Sequence, residues 1–342
     1  MKIKYSITEG TINEFENYPV VMFGASGCAE LLLDKYNLKK ILYFVDNDSK
    51  KWGSKFRNYE ICGPDRLLRE DEKDILIISS QYFDDIVNQL NDMGYKGTVY
   101  SGLHLLYARE YNKDVVKNAS KSLEKVKSLL VDNKSREILD FIIDSRLSDN
   151  KDYRPICTKD QYFIDDMPLA KDEIIVDCGA YTGDTIEQVY ANLGSFDKIY
   201  AFEMDVLNFE KLKSKYSECK NIILINKGVW NCKETMKYDN SGSSSVLSNE
   251  GSQVAQVDCL DNLIEEKITY LKMDIEGAEY NALCGAEKLI KRYHPKLAIC
   301  LYHKEDDLWK IPLLIHEMVP EYKFIIRHHE IYCCETVLYA YS

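Results

Sequence analysis

The sequence predicts an α/β protein with doubly wound, largely parallel sheets, and three observations predict it. Twice, a short apolar run meets a glycine turn and then a helix start: Pro19–Phe23 before Gly24-Ala25-Ser26-Gly27, and Ile174–Val176 before the turn from Gly179 to Gly183. Apolar runs of strand length alternate with helix-length amphipathic runs in both parts of the chain, the β-α-β rhythm of a parallel sheet. The last two apolar runs, Lys323–Arg327 and Thr336–Tyr341, are joined by a segment too short for a crossover helix, so this pair is antiparallel.

A chain of 342 residues is long for one core, so two domains are expected. Residues 1–105 read as a smaller Rossmann-like domain, with strands at Pro19–Phe23, Ile41–Val45, Ile75–Ser79 and Gly97–Tyr100 and helices at Cys28–Tyr36 and Asp84–Met93. Its turn departs from G-x-G-x-x-G at the second and third glycines, so it is a weak dinucleotide signature. Two readings stand side by side. In one, the turn merely caps a helix and the domain serves a homodimer or braces its neighbour. In the other, Gly24, Ser26 and Gly27 surround the phosphate of a nucleotide or nucleotide-sugar, with Asp46 on a ribose. Residues 106–169 lose the strand rhythm and read as a helical connector, with helical spacing over Ser120–Val131 and Ser135–Arg146 and an aromatic pair, Tyr162-Phe163, that suits a packing anchor or a lid.

Residues 170–342 resume the alternation. Strands are expected at Ile174–Cys178, Lys198–Glu203, Ile222–Asn226, Tyr270–Ile275, Lys296–Tyr302, Lys323–Arg327 and Thr336–Tyr341. Helices are expected at Asp184–Leu193, Val206–Tyr216, Leu260–Glu265, Tyr280–Arg292 and Asp307–Met318. Asp239–Ser252, rich in serine, reads as a polar loop, the hairpin tip of an insertion.

Composition narrows the function. A net charge of -12 argues against a nucleic-acid binder, which needs a basic face. No apolar run is long enough to span a bilayer, and the first ten residues lack a signal-peptide core. Eleven cysteines without C-x-x-C spacing, several inside apolar strands, read as small buried hydrophobes in a reducing compartment, and a cytoplasmic location is expected.

The stretch Ile174–Thr185, IIVDCGAYTGDT, places backbone N–H groups and an acidic side chain where a nucleotide-like ligand can lie against bare backbone. Glu203 closes the next strand, KIYAFE, where a carboxylate accepts both hydrogen bonds of a ribose diol. Downstream, YLKMDIEGAEYNAL carries Asp274, Glu276 and Glu279 around Gly277. Asp274 and Glu276 alternate on one face, Glu279 starts a helix, and clustered carboxylates raise one another's pKa. His303 ends the fifth strand of this domain.

These three motifs, at these intervals, resemble the FkbM family of S-adenosylmethionine-dependent methyltransferases, and the likeness covers about Tyr162 to Tyr341. The resemblance implies a class I methyltransferase sheet of seven strands in the order 3-2-1-4-5-7-6, with the last strand antiparallel. It implies S-adenosyl-L-methionine as cofactor, bound by Asp177, Gly179, Ala180, Tyr181, Thr182, Gly183, Asp184, Glu203, Met204, Lys227, Gly228, Val229 and Asp274. Asp274, Glu276 and His303 are the expected catalytic groups, with the general base Asp274 or Glu276. Glu279, Ser244, Arg327 and His328 are expected to meet the acceptor, a small molecule or glycan hydroxyl of the kind modified in polysaccharide biosynthesis. No metal is expected. The alternatives are an NAD(P)-dependent oxidoreductase working through the first domain and a non-catalytic nucleotide-sugar-binding protein.

Overall fold

The computed structural model describes residues 1–4, 15, 18–36, 38, 40–69, 75–80, 82–107, 109, 111–148, 152–240, 245–248 and 251–342. These form two units: residues 1–110 with 144–155 and 331–333, and residues 111–143 with 156–330 and 334–342.

The first unit carries β1 (Lys2–Lys4), β2 (Val20–Phe23), β3 (Ile41–Val45), β4 (Lys55–Phe56), β5 (Tyr59–Cys62), β6 (Ile75–Ile78) and β7 (Thr98–Ser101), in sheet order β1-β7-β6-β2-β3-β5-β4. Only the β4–β5 pair is antiparallel. The central strands are apolar throughout because both faces are covered. Val20, Met22, Phe44 and Ile77 pack on one side, and Val21, Phe23, Val45, Leu76 and Ile78 on the other. The short strands β1, β4 and β5 escape sequence reading, since none shows enough alternation.

The second unit holds β8 (Ile174–Cys178), β9 (Lys198–Phe202), β10 (Ile222–Ile225), β11 (Gly228–Val229), β12 (Glu234–Asn240), β13 (Ser245–Leu247), β14 (Gln253–Asp258), β15 (Tyr270–Met273), β16 (Lys296–Cys300), β17 (Lys323–His328) and β18 (Thr336–Tyr341). Its main sheet runs β10-β9-β8-β15-β16-β18-β17, with β18 antiparallel to both neighbours. Numbered within this domain, that is the expected order 3-2-1-4-5-7-6. The order reverses between β8 and β15, where ligands of such sheets lie beyond the carboxyl ends of the strands.

Local chemistry explains the helices that frame this point. The helix Asp184–Leu193 begins at Gly183 (φ 96°) and ends at Gly194 (φ 71°), both left-handed positions that favour glycine. Val206–Tyr216 is capped by the Asp205 carboxylate, which accepts the Asn208 N–H at 2.9 Å.

Three features add to the sequence reading or depart from it. The helix expected over Tyr280–Arg292 is two helices, Glu279–Cys284 and Glu287–Tyr293, broken at Gly285, where a Cβ would stand 2.0 Å from the Trp230 carbonyl oxygen. Strands β11–β14 form a separate four-stranded sheet, order β11-β14-β12-β13, in the expected insertion, and the polar stretch read as a hairpin tip lies at the antiparallel β12–β13 pair. Residues 111–143 of the expected connector belong to the second unit. Val131 N–H bonds the Phe324 carbonyl at 3.0 Å, and Ser135 Oγ accepts the Ile326 N–H at 3.0 Å.

Candidate active site

The loops after β8, β9, β15 and β16 converge at the reversal point. Between the in-register residues of β8 and β15 lies a buried ion pair, Asp177 to Lys272, at 2.9 Å. Burial pushes the Asp177 carboxyl up to about 6 even with Lys272 pulling it down. Burial disfavours the charged Lys272 too, yet Asp177, Asp274 and Asp184 hold it well above the ordinary lysine range. Lys272 Nζ also donates to the Gly179 carbonyl at 2.9 Å, so this pair fixes the start of the turn.

Gly179 has φ 84°, and a Cβ there would sit 1.9 Å from the Asp274 carbonyl oxygen. The two strand ends approach so closely that only glycine fits. The turn was expected to offer its N–H groups to a ligand, and the structure corrects this. Gly179 and Ala180 N–H both bond the Phe202 carbonyl at 3.0 and 2.9 Å, and Gly183 N–H bonds the Ala180 carbonyl at 2.8 Å. The N–H groups of Gly179, Ala180 and Gly183 are thus bonded within the protein. Tyr181, at φ 46°, gives its N–H to Glu203 Oε2 at 2.9 Å.

The Glu203 carboxylate is 7% exposed and receives the Asp205 N–H on Oε1 at 2.8 Å. Burial pushes it up to about 7, with the two backbone bonds acting against that shift. Each oxygen retains a further lone pair. The first unit has the same device in a different electrostatic setting. Asp46, at the end of β3, accepts the Ala25 N–H at 3.0 Å, but Lys51 Nζ also binds it at 2.8 Å. Burial alone would raise Asp46; Lys51 and the backbone donors carry it below the ordinary range. A Cβ on Gly24 would stand 2.8 Å from the Ser79 carbonyl oxygen, and Ser26 Oγ donates to that same oxygen at 2.8 Å. That turn is spent on its own sheet.

Met204 lines one side of Gly228, with Sδ 3.4 Å from where its Cβ would be. Lys227 ion-pairs with Asp258 at 3.3 Å, and Val229 is 3% exposed in β11.

Beyond β15 and β16 lies a hydrogen-bonded cluster around His303, whose side chain is 3% exposed. His303 Nδ1 meets Glu279 Oε1 at 2.8 Å, while Nε2 lies 3.4 Å from Asp274 Oδ1 and 3.5 Å from Glu276 Oε2. Burial disfavours the imidazolium, but the three carboxylates push its pKa up to about 10. It is a fixed cation at neutral pH. Glu279 is fully buried beneath it and also accepts the Ile275 N–H at 2.8 Å, so it orients the ring and closes the turn. Glu276 has φ 54°, an unusual strained position for a non-glycine residue that turns its half-buried carboxylate to the cluster.

Asp274 accepts the hydroxyl of Tyr162 on Oδ2 at 2.9 Å, and Tyr302 Oη lies 3.0 Å from its Oδ1. The expectation that clustered carboxylates raise its pKa is not met. Burial acts upward, but His303, Lys272 and the two tyrosine hydroxyls outweigh it and the pKa is lowered. Asp274, Glu279 and His303 bring ligand atoms within 4.8 Å of one another, as do Asp274, Cys300 and Glu335.

Other expected contacts fall elsewhere. Arg327, 3% exposed, binds Asp166 at 2.6 Å, Asp132 at 3.3 Å and Ser135 at 2.9 Å. His328 is fully buried against Thr336 at 2.8 Å. These bonds brace the sheet edge rather than reach the Asp274 cluster. Ser244 lies outside the described residues. Thr182 and Asp184 sit in the turn and at the first position of its helix. Sequence reading missed Lys272, Tyr302 and Glu335 altogether; only a lysine inside the apolar run YLKM hinted at a buried partner.

Comparison with known proteins adds to this geometry. Residues 177–328 match the model of the methyltransferase FkbM domain, and residues 16–98 match that of the C2185-like N-terminal domain. No curated protein matches the chain. Among solved structures, methyltransferase FkbM from Methylobacillus flagellatus KT is similar at 21% identity and a TM-score of 0.72, covering 98% of this chain and 94% of that one. An rRNA methylase from Streptococcus thermophilus is 19% identical with a TM-score of 0.34, over 51% of this chain and 89% of that chain. Aeropyrum pernix fibrillarin with natively bound S-adenosyl-L-methionine is 11% identical with a TM-score of 0.35, over 51% and 69%.

Proposed function

With residues 177–328 a methyltransferase FkbM domain, we propose that this chain transfers a methyl group from S-adenosylmethionine to a hydroxyl of a sugar or glycan. The observation that carries the reading is the meeting, at the ends of β8, β9, β15 and β16, of a diol-type carboxylate with a cluster of carboxylates around a fixed cation. When bound, S-adenosylmethionine supplies an electrophilic methyl carbon on a sulfonium.

The residues fit that donor. Glu203 keeps a lone pair on each oxygen for a ribose diol and, unlike Asp46, is in ion-pair contact with no lysine among the described residues. The contrast also gives no support to an NAD(P) or nucleotide-sugar site in the first unit. Gly179 lets the ends of β8 and β15 approach closely, and Met204 offers an apolar face beside Gly228.

Glu276 is the carboxylate we assign as proton acceptor. Both oxygens of Asp274 already face tyrosine hydroxyls and Glu279 is buried, whereas the Glu276 side chain is 29% exposed. His303, charged at neutral pH, holds Glu276 and Asp274 in place and is not the base. Glu276 would take the proton that the acceptor hydroxyl gives up when its oxygen is methylated. Alignment of the two reactants is worth about 7–11 kcal/mol when geometry is right.

Donor carrying a labelled methyl group, incubated with a panel of sugars, nucleotide-sugars and polysaccharides, tests the reading. Label is expected in an ether of a polyhydroxylated acceptor, with Glu276→Gln slowing transfer about 10²–10⁴-fold at unchanged S-adenosylhomocysteine affinity. If Glu276→Gln and Asp274→Asn both leave transfer intact, the base is wrongly assigned. The unbridged cysteines fit a reducing cytoplasm, and no described helix is long and apolar enough to cross a membrane.

A further inference from the structure

Tyr302 Oη lies 3.0 Å from Asp274 Oδ1 and 3.0 Å from Glu335 Oε1. A phenol has one proton and so donates along one of these contacts. Burial first, and then Asp274, Cys300 and Glu335, push its ionisation well above the ordinary tyrosine range, so it keeps that proton. The other contact then joins two oxygens, and it needs a proton carried by a carboxyl group.

The surroundings decide which carboxyl. Asp274 receives the Tyr162 hydroxyl and faces the cations His303 and Lys272. Glu335, held at φ 65°, receives a neutral amide on its second oxygen, Gln161 Nε2 at 2.6 Å, and no described cation pairs with it. We propose that Glu335 carries a proton at neutral pH and donates it to Tyr302, which donates in turn to Asp274, so that the two carboxyl groups hold one proton between them and Asp274 stays ionised beside His303. Glu335 is thus a positioning residue, acting on the cluster through Tyr302.

The titratable groups facing Glu335 are Asp274, Tyr302 and His303, with Tyr162, Cys300 and Tyr339 packed around them and Arg327 acting on Tyr339. Burial, then the Asp274 charge, push Glu335 up to about 7, with Gln161, Tyr302 and His303 opposing. A carboxyl raised in this way is protonated in the folded chain below that pH and ionises as pH rises through it.

Difference infrared spectroscopy of the full chain reads the proton directly. A carboxylic-acid carbonyl band is expected just below pH 7, disappearing as pH rises through about 7. Glu335→Gln, whose amide still donates to Tyr302, should lose this band. Glu203 and Asp307 also titrate near 7, and their bands cancel between wild type and variant. Tyr302→Phe, the second variant should the first not fold, should keep the band and move it to higher frequency, because the acid no longer donates. A band that survives Glu335→Gln, or that Tyr302→Phe leaves unmoved, overturns the proposal. A second arm rests on the methyl-transfer reading: the pH profile of transfer should lose an inflection near 7 in Glu335→Gln. The infrared arm needs no acceptor, so the two ideas fail separately.

Discussion

Lys272→Met is expected to cost about 3–5 kcal/mol of folding stability, the usual result of leaving one partner of a buried ion pair alone. Lys272 and Asp177 are both almost fully buried at 2.9 Å, and no water reaches the abandoned carboxylate. The loss should shrink at low pH, where Asp177 takes a proton. The sign follows from its raised folded value of about 6: without Lys272 that value climbs further, so the folded chain pays for the neutral acid as pH rises above the unfolded value. Denaturant unfolding at two pH values checks it, and Asp177→Leu combined with Lys272→Met should recover much of the loss. Equal stability of Lys272→Met and wild type at neutral pH would contradict the arrangement.

Gly179→Ala is expected to be nearly as severe, and for a steric reason. Its Cβ would stand 1.9 Å from the Asp274 carbonyl oxygen, which is backbone and cannot swing aside. The left-handed φ of 84° adds about 1–2 kcal/mol. Because the displaced groups are the turn and the residue that opens the acidic cluster, S-adenosylhomocysteine affinity should fall along with the unfolding midpoint. Gly194→Ala is the control: it shares a positive φ, 71°, but meets nothing within 4 Å. Its loss should be confined to strain. If the two variants lose the same stability, close approach at Gly179 is not what selects glycine.

The sequence made legible what local chemistry dictates. The helices Asp184–Leu193, Val206–Tyr216 and Asp307–Met318 and the strands Ile174–Cys178 and Thr336–Tyr341 follow caps, glycines and apolar runs that each lie within a few residues. The antiparallel end of the sheet followed from one short connection. What was hidden depends on register. Lys272 stands beside Asp177 only because β15 pairs with β8 in that alignment. Glu335, Tyr302 and Tyr162 come to Asp274 from three distant segments, and although Tyr162 and the neighbour of Tyr302, His303, stand out locally, nothing local points them at Asp274. Strands β11–β14 were hidden for another reason: Glu234–Asn240 is mostly polar and exposed, and its alternation rests on only two residues, Met236 and Tyr238. The break at Gly285 answers to the Trp230 carbonyl, far away in sequence.

Calorimetric titration of the full chain with S-adenosylhomocysteine, run beside NAD(H), tests the central claim most directly. The account predicts one-site binding of S-adenosylhomocysteine, lost in Glu203→Ala, and no heat from NAD(H). Glu203 is the group to remove because its two backbone bonds fix both oxygens, at 2.9 and 2.8 Å, at the end of β9. Binding of NAD(H) alone, or S-adenosylhomocysteine binding that survives Glu203→Ala unchanged, would contradict it.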